Sequence, residues 1–215
     1  MGKTLRVHLT DRSWKVEEWD EDFRRRYIGG WGFIAYYLLK ELPPGIDPLG
    51  PENMLIFANG AMTGAAVGGS GRSAVGGKSP LTGGFGEADV GGYFGAEMAR
   101  TGYDVIIIEG QAAEPVYLWV TNDQVEIRSA SHLWGMLTAR TQATLHEELG
   151  DHRIRVAQIG PAGERLAPLA AVMHDINRAA ARTGLGAVMG SKRLKAIAVR
   201  GFSKPVVHDP IAVNR

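Results

Sequence analysis

Apolar and polar residues alternate from the start of the chain. LRVHLTDRSWKVEE (5–18) alternates on both sides of a polar turn, which predicts a β-hairpin. VYLWVTNDQVEIRS (116–129) repeats the pattern and predicts a second one. Trp31-Gly32 and Trp134-Gly135 each precede a helical periodicity. The first helix is expected at roughly Phe33–Leu42, stopped by Pro43-Pro44, and the second at roughly Leu137–Leu149, capped by Gly150. Strands ending in glycine are expected at 54–59 and 154–159. Short helices are expected at 93–100 and 187–194, then β-branched strands at 104–109 and 195–200. Each half thus reads hairpin, helix, strand, Gly-rich or basic loop, helix, strand.

The halves also match residue by residue. Gly95, Ala96, Met98, Ile106, Ile108 and Gly110 fall on Gly186, Ala187, Met189, Ile197, Val199 and Gly201 at a constant offset of 91. LIFANGAMTG (55–64) lies against RVAQIGPAGE (155–164) with Gly60 and Gly160 in register. A unit of about 100 residues is too long for a solenoid repeat, so duplication is the better reading. The expected fold class is α+β: a duplicated unit of mostly antiparallel strands with short helices and pseudo-twofold symmetry. The expected organisation is one cofactor-binding domain over residues 1–215, its repeats at about 5–110 and 116–201. Such a pair shares a cleft, faced by similar loops from both copies.

Composition narrows the function. A net charge of +1 gives no electrostatic footprint for nucleic acid or an anionic membrane. No stretch approaches 18 apolar residues, and MGKTLRVHLTDRS lacks the apolar core of a signal peptide, so a cytoplasmic protein is the default expectation. There is no cysteine, which excludes disulfides, a thiolate nucleophile and Cys-ligated zinc or iron–sulfur centres within this chain.

Candidate chemistry concentrates in residues 60–95, which hold 13 of the 29 glycines together with Arg72, Lys78 and Asp89. Glycine admits positive φ and close backbone approach, and its N–H groups form anion nests. Leu81, Phe85, Val90, Tyr93 and Phe94 thread the run and argue against a flexible linker. The second copy carries HDINRAAARTGLG (174–186), with His174, Asp175, Arg178 and Arg182. The offset of 91 sets Asp89 on Ala180, between Arg178 and Arg182, so two cationic loops are expected in equivalent places. A ligand with two phosphate arms suits that arrangement.

Familiar motifs do not. Gly77-Lys78-Ser79 ends like a Walker A loop, but Arg72 stands where its first glycine belongs and Pro80 where its helix should begin. Gly184-Leu185-Gly186 has Met189 in place of the third glycine of a dinucleotide fingerprint. There is no GxSxG elbow, and the six histidines show no ligand spacing. His174 is the one histidine near a cationic loop, and a plain loop residue is the preferred reading of it.

Several long segments carry a more specific likeness: GRSAVGGKSPLTG (71–83), GGYFGAEMARTGYDVIIIEG (91–110), SHLWG (131–135), IGPAGE (159–164) and NRAAARTGLGAVMGSKRLKAIAV (177–199). In this order they resemble the N-terminal domain of the aldehyde ferredoxin oxidoreductase family, tungsten- or molybdenum-dependent bis-pterin enzymes. The resemblance implies a duplicated α+β base for two pterins that hold the metal through dithiolene sulfurs, their phosphates bridged by Mg²⁺. It places cofactor contacts at Arg72, Asp89, Gly91, Arg178, Ala179 and Ala181, with Arg178 as the second copy's counterpart of Arg72, and magnesium ligands at Asp89 and the Ala179 carbonyl; the cationic residues Lys78 and Arg182 are further candidates. No catalytic acid or base is assigned. Three positions depart from the family: Asp89 for an asparagine, Ala181 for a glycine and Trp31 for a frequent basic residue. The resemblance implies that residues 202–215 begin a linker to C-terminal domains, which carry a [4Fe–4S] cluster and the substrate pocket. The implied activity is oxidation of an aldehyde to a carboxylic acid with electrons passed to ferredoxin, completed by those domains or a partner subunit. The rival reading is a non-catalytic fragment or scaffold that binds a phosphate-bearing pterin, and either form leaves room for a homo-oligomer.

Overall fold

The computed structural model describes residues 2–203 and Asp209. The expected linker therefore lies mostly outside the described residues. Twelve strands and six helices occur among them. The first half contains β1 (Gly2–His8), β2 (Ser13–Trp19), α1 (Glu21–Tyr27), α2 (Trp31–Glu41), β3 (Leu55–Asn59), β4 (Ser73–Lys78), β5 (Phe85–Val90), α3 (Phe94–Arg100) and β6 (Val105–Glu109). The second contains β7 (Val116–Val120), β8 (Val125–Ser129), α4 (Thr138–Leu149), β9 (Arg155–Gln158), α5 (Pro161–Glu164), β10 (Val172–His174), β11 (Arg178–Ala180), α6 (Leu185–Ser191) and β12 (Leu194–Val199).

Two six-stranded sheets result, ordered β2-β1-β6-β3-β4-β5 and β8-β7-β12-β9-β10-β11. The second repeats the first strand for strand. In each, the hairpin strand pairs parallel with the last strand of its half, β1 with β6 and β7 with β12, and every other pairing is antiparallel. The fold is the duplicated, mostly antiparallel α+β unit that the repeat predicts.

The layers follow from strand alternation. Leu55, Phe57, Ile106 and Ile108 face a central core shared with Leu118, Val120, Ile197 and Val199 of the other sheet, and α3 and α6 supply Phe94, Met98, Val188 and Met189 to it. The opposite faces are covered too. Ile56, Ala58 and Ile107 pack under Phe33, Ile34 and Tyr37 of α2, and Tyr117, Val156 and Ala198 pack with Leu145 of α4. Strands buried on both faces read as continuous apolar runs, which is why β3, β6 and β12 stand out in the sequence.

The structure corrects the loops. The glycine run contains the β4–β5 hairpin, and the basic stretch of the second half contains β10 and β11. Glycine hides β4 because that strand is crowded rather than loose. A Cβ on Gly76 would lie 2.2 Å from Ile34 Cγ2 of the overlying α2. Helix α1 is also absent from the periodicity, although Asp20 caps it by accepting from the Phe23 N–H at 2.9 Å. The last helix lies earlier than expected, at Leu185–Ser191.

Candidate cofactor cleft

Edge strands β5 and β11 meet where the two sheets come together. A cleft of about 340 Å³ opens there, lined by Glu87, Ala88 and Asp89 of one half and Ala179, Ala181 and Arg182 of the other. The ladders define which positions are equivalent. From the matched pair Ile106 and Ile197, the first sheet runs outward through Phe57, Val75 and Ala88. The second runs through Ala157, His174 and Arg178. One residue further on, Asp89 matches Ala179, and beyond the strand ends Gly91 matches Ala181. The linear offset of 91 set Asp89 on Ala180, one residue too far, because turn lengths differ between the halves.

The same walk separates two residues expected to be counterparts. Arg178 occupies the place of Ala88, whereas Arg72, just before β4, matches Ala171. Space still brings them to one turn. A Cβ on Gly71 would lie 2.8 Å from the Gly92 carbonyl oxygen, and one on Gly92, where φ is +101°, would lie 3.0 Å from Arg178 Cγ. Glycine is required at both. The loop leading to Arg72 is ordered by Thr63, whose hydroxyl donates to the Arg72 carbonyl oxygen, and by Ser70, which donates to the Ala65 carbonyl at 2.6 Å. Among the described residues, no carboxylate pairs with the guanidinium of Arg72, Arg178 or Arg182. All three are exposed.

Lys78 stands apart. It ends β4, roughly 20 Å along the strand from Arg72, and its ammonium donates to the Ile46 carbonyl oxygen at 2.6 Å. His174 also lies elsewhere than expected. It belongs to a strand, is buried, and packs at a tilt against the Phe94 ring, with centroids 4.5 Å apart. Burial pushes its pKa down to about 3, so the imidazole is neutral. Both ring nitrogens lack hydrogen-bond partners among the described residues.

Glu87 is the cleft residue that sequence reading missed. It sits two positions before Asp89 and so shares its face of β5, the spacing that could have exposed it. Burial raises its carboxyl pKa, and the neighbouring Asp89 charge raises it further. Its Oε1 has no partner among the described groups.

The arrangement suits a doubly phosphorylated ligand with a counter-cation. Arg182 lines the cleft, Arg178 is carried by β11 and Arg72 precedes β4, none with a carboxylate partner among the described residues, and a Cβ on Gly91 would meet nothing within 4 Å. Ala181 takes no left-handed conformation, so alanine there carries no backbone strain. No group of three His, Cys, Asp or Glu side chains among the described residues could hold a metal by itself, so a cation here would rely on the ligand's own oxygens.

The family model of the aldehyde ferredoxin oxidoreductase N-terminal domain matches residues 4–201. The chain belongs to this family. It is 52% identical over 208 residues to the tungsten-containing aldehyde ferredoxin oxidoreductase of Pyrococcus abyssi, covering 97% of this chain and 34% of that protein. The aliphatic sulfonate oxidoreductase WOR-like subunit of Pyrococcus furiosus is 38% identical, with 97% and 36% covered. Among solved structures, a chain of the active site complex BamBC of benzoyl coenzyme A reductase, in complex with 1,5 dienoyl-CoA, superposes with a TM-score of 0.94 at 40% identity. That match covers 97% of this chain and 32% of the other. The chain thus spans about a third of the length of the aldehyde ferredoxin oxidoreductases it matches. Among its described residues no helix is long and apolar enough to cross a membrane.

Proposed function

We propose that this chain is the pterin-binding base of a tungsten- or molybdenum-dependent aldehyde ferredoxin oxidoreductase. The observation that carries the reading is the equivalence of Asp89 and Ala179 across one cleft that Arg182 also lines, with the exposed Arg178 on the same strand as Ala179. In this reading the arginines hold the phosphates of two pterins. Asp89 and the Ala179 carbonyl oxygen would hold a Mg²⁺ counter-ion, in keeping with its preference for oxygen ligands. Gly91 and Ala181 give the ligand close access to the backbone. The metal–pterin group supplies, when bound, the two-electron oxidation of an aldehyde with water to a carboxylic acid. This chain's share is to orient that group and balance its charge.

The remainder of the enzyme falls to protein beyond the described residues: the [4Fe–4S] cluster, the substrate pocket and the contact with ferredoxin. Residues 1–215 act as one domain built from the two repeats, and the enzyme works in the cytoplasm, with self-association of this chain in keeping with its open cleft. The test is elemental analysis of protein produced with tungsten and molybdenum supplied, combined with fluorescence of the released, oxidised pterin. Two pterins per metal, with magnesium, are expected. Protein that contains neither pterin nor either metal would overturn the proposal, and pterin without tungsten or molybdenum would favour the scaffold reading.

A further inference from the structure

The segment Gly92-Tyr93-Phe94 forms the seam between the halves, and each of its residues bears on a different residue of the second half. Gly92 backs onto Arg178, and Phe94 packs on His174. Between them, Tyr93 is 66% exposed. Its ring nevertheless lies under the Arg155 guanidinium, 4.7 Å from the ring centroid. Arg155 rises from β9, an interior strand of its sheet. Its other neighbour is Asp175 at 3.7 Å, a mostly buried carboxylate in the turn between β10 and β11. Asp175 is itself held: its carboxylate accepts from the Val156 N–H at 3.3 Å and its carbonyl from Gln158 Nε2 at 2.9 Å. A line of contacts therefore runs from the glycine turn of the first half to the hairpin that carries Arg178 and Ala179.

The duplication does not supply this line. The ladder position of Arg155 is taken in the first half by Leu55, which is buried in the central core. Arg155 has no twin, so its contact with Tyr93 is not a by-product of repeated packing.

We propose that Arg155 is a positioning residue for the cleft. By capping the Tyr93 ring and facing Asp175, it fixes the Gly91-Gly92 turn relative to Arg178 and Ala179, so that both walls meet one ligand together. This rests on the reading of the cleft as a phosphate-bearing cofactor site. Arg155 acts through Tyr93 and Asp175, and the phosphates themselves fall to Arg72, Arg178 and Arg182.

The experiment compares Arg155→Ala, Arg155→Lys, Tyr93→Ala and the double Arg155→Ala/Tyr93→Ala variant. Amide hydrogen exchange is followed in the cofactor-free chain, and release of oxidised pterin and tungsten in the loaded protein. Each alanine variant should speed exchange in both 91–94 and 175–179, with the thermal midpoint little changed. Each should release pterin roughly two- to fivefold faster, the range of an exposed cation–π contact. The double variant should be no worse than either single one, the signature of coupled residues, and Arg155→Lys should lie nearer the parent. Unchanged exchange in the segment opposite the mutated residue, or additive effects in the double variant, would overturn the proposal. If the parent protein holds neither pterin nor tungsten, the cofactor reading fails, and the exchange measurements still judge the clasp.

Discussion

Arg72 and Arg178 show how much one residue of register matters. Their loops look interchangeable in the sequence, because each sets arginine among small residues. The ladders show that Arg178 stands where the first half has Ala88, and Arg72 where the second has Ala171. The second half brings Arg178 and Arg182, and the first brings Arg72 alone. Arg72→Ala should therefore weaken cofactor retention by roughly 1.5–3 kcal/mol, the worth of a charged hydrogen bond, and Arg178→Ala by less, because Arg182 remains beside it. Equilibrium pterin retention in the two variants checks this, and equal losses would contradict it. His174 is a second residue that the linear chain misplaces, since a polar side chain beside Asp175 reads as loop. Its pKa falls from the ordinary 6.5 to about 3 on folding. Between these values the unfolded chain binds a proton that the folded one refuses. Its stabilising contribution is thus complete above pH 6.5 and declines as the pH falls toward 3, by up to about 1.4 kcal/mol per pH unit. His174→Val, which copies Val75 of the other half, should flatten the stability curve between pH 6.5 and 5 in denaturant titrations. An unchanged slope would rule out His174 as its source.

At the level of elements, legibility followed burial pattern. β3, β6, β7 and β12 are apolar on both faces and announce themselves, as do α2 and α4 with their stops and caps. β4 and β5 do not, because glycine serves close packing there and mimics a loop. Gly76 lies under Ile34 of α2, and a methyl group would overlap it. Gly76→Ala should destabilise the protein by roughly 1–3 kcal/mol, as overpacking does, and Ile34→Ala should recover part of the loss. Gly91→Ala should fold normally, since the added carbon meets nothing and Ala181 already occupies the matching place. Thermal melts of the three variants separate crowded glycine from open glycine. In the candidate cleft the arginines and Asp89 declare their chemistry in the sequence and the family resemblance names Ala179, whereas Glu87 depends on strand face and the equivalence of Asp89 with Ala179 on strand pairing.

Across the whole molecule, the halves are tied by buried charges as well as by the shared core. Arg200 donates to Glu97 at 2.6 Å and to Asp151 at 2.7 Å, and Glu97 belongs to the opposite half. Lys192 is fully buried, donating to the Gly110 carbonyl oxygen at 2.9 Å and more distantly to that of Pro51. Burial lowers its pKa from 10.5 to about 8, with Glu109 and Glu52 opposing the shift. The folded protein therefore gives up this proton earlier than the unfolded chain. The cost of burying the cation is relieved as pH rises from about 8 to 10.5, a stabilisation on the order of 3 kcal/mol. Lys192→Met should lose that alkaline gain while keeping the sheets intact, which urea unfolding at pH 8 and pH 10 would reveal. A parent-like rise in the variant would assign the gain to other groups.

The pairing of Asp89 with Ala179 has one more consequence. A scaffold with two like walls cannot by its backbone tell one end of a two-armed ligand from the other, so both orientations would be degenerate. The unequal side chains, one arginine on the first wall and two on the second, lift that degeneracy. A difference of about 1.4 kcal/mol already favours one orientation tenfold. A bound metal would then show a single face to incoming substrate, and gene duplication would have supplied the seat while later divergence chose which way round its occupant sits.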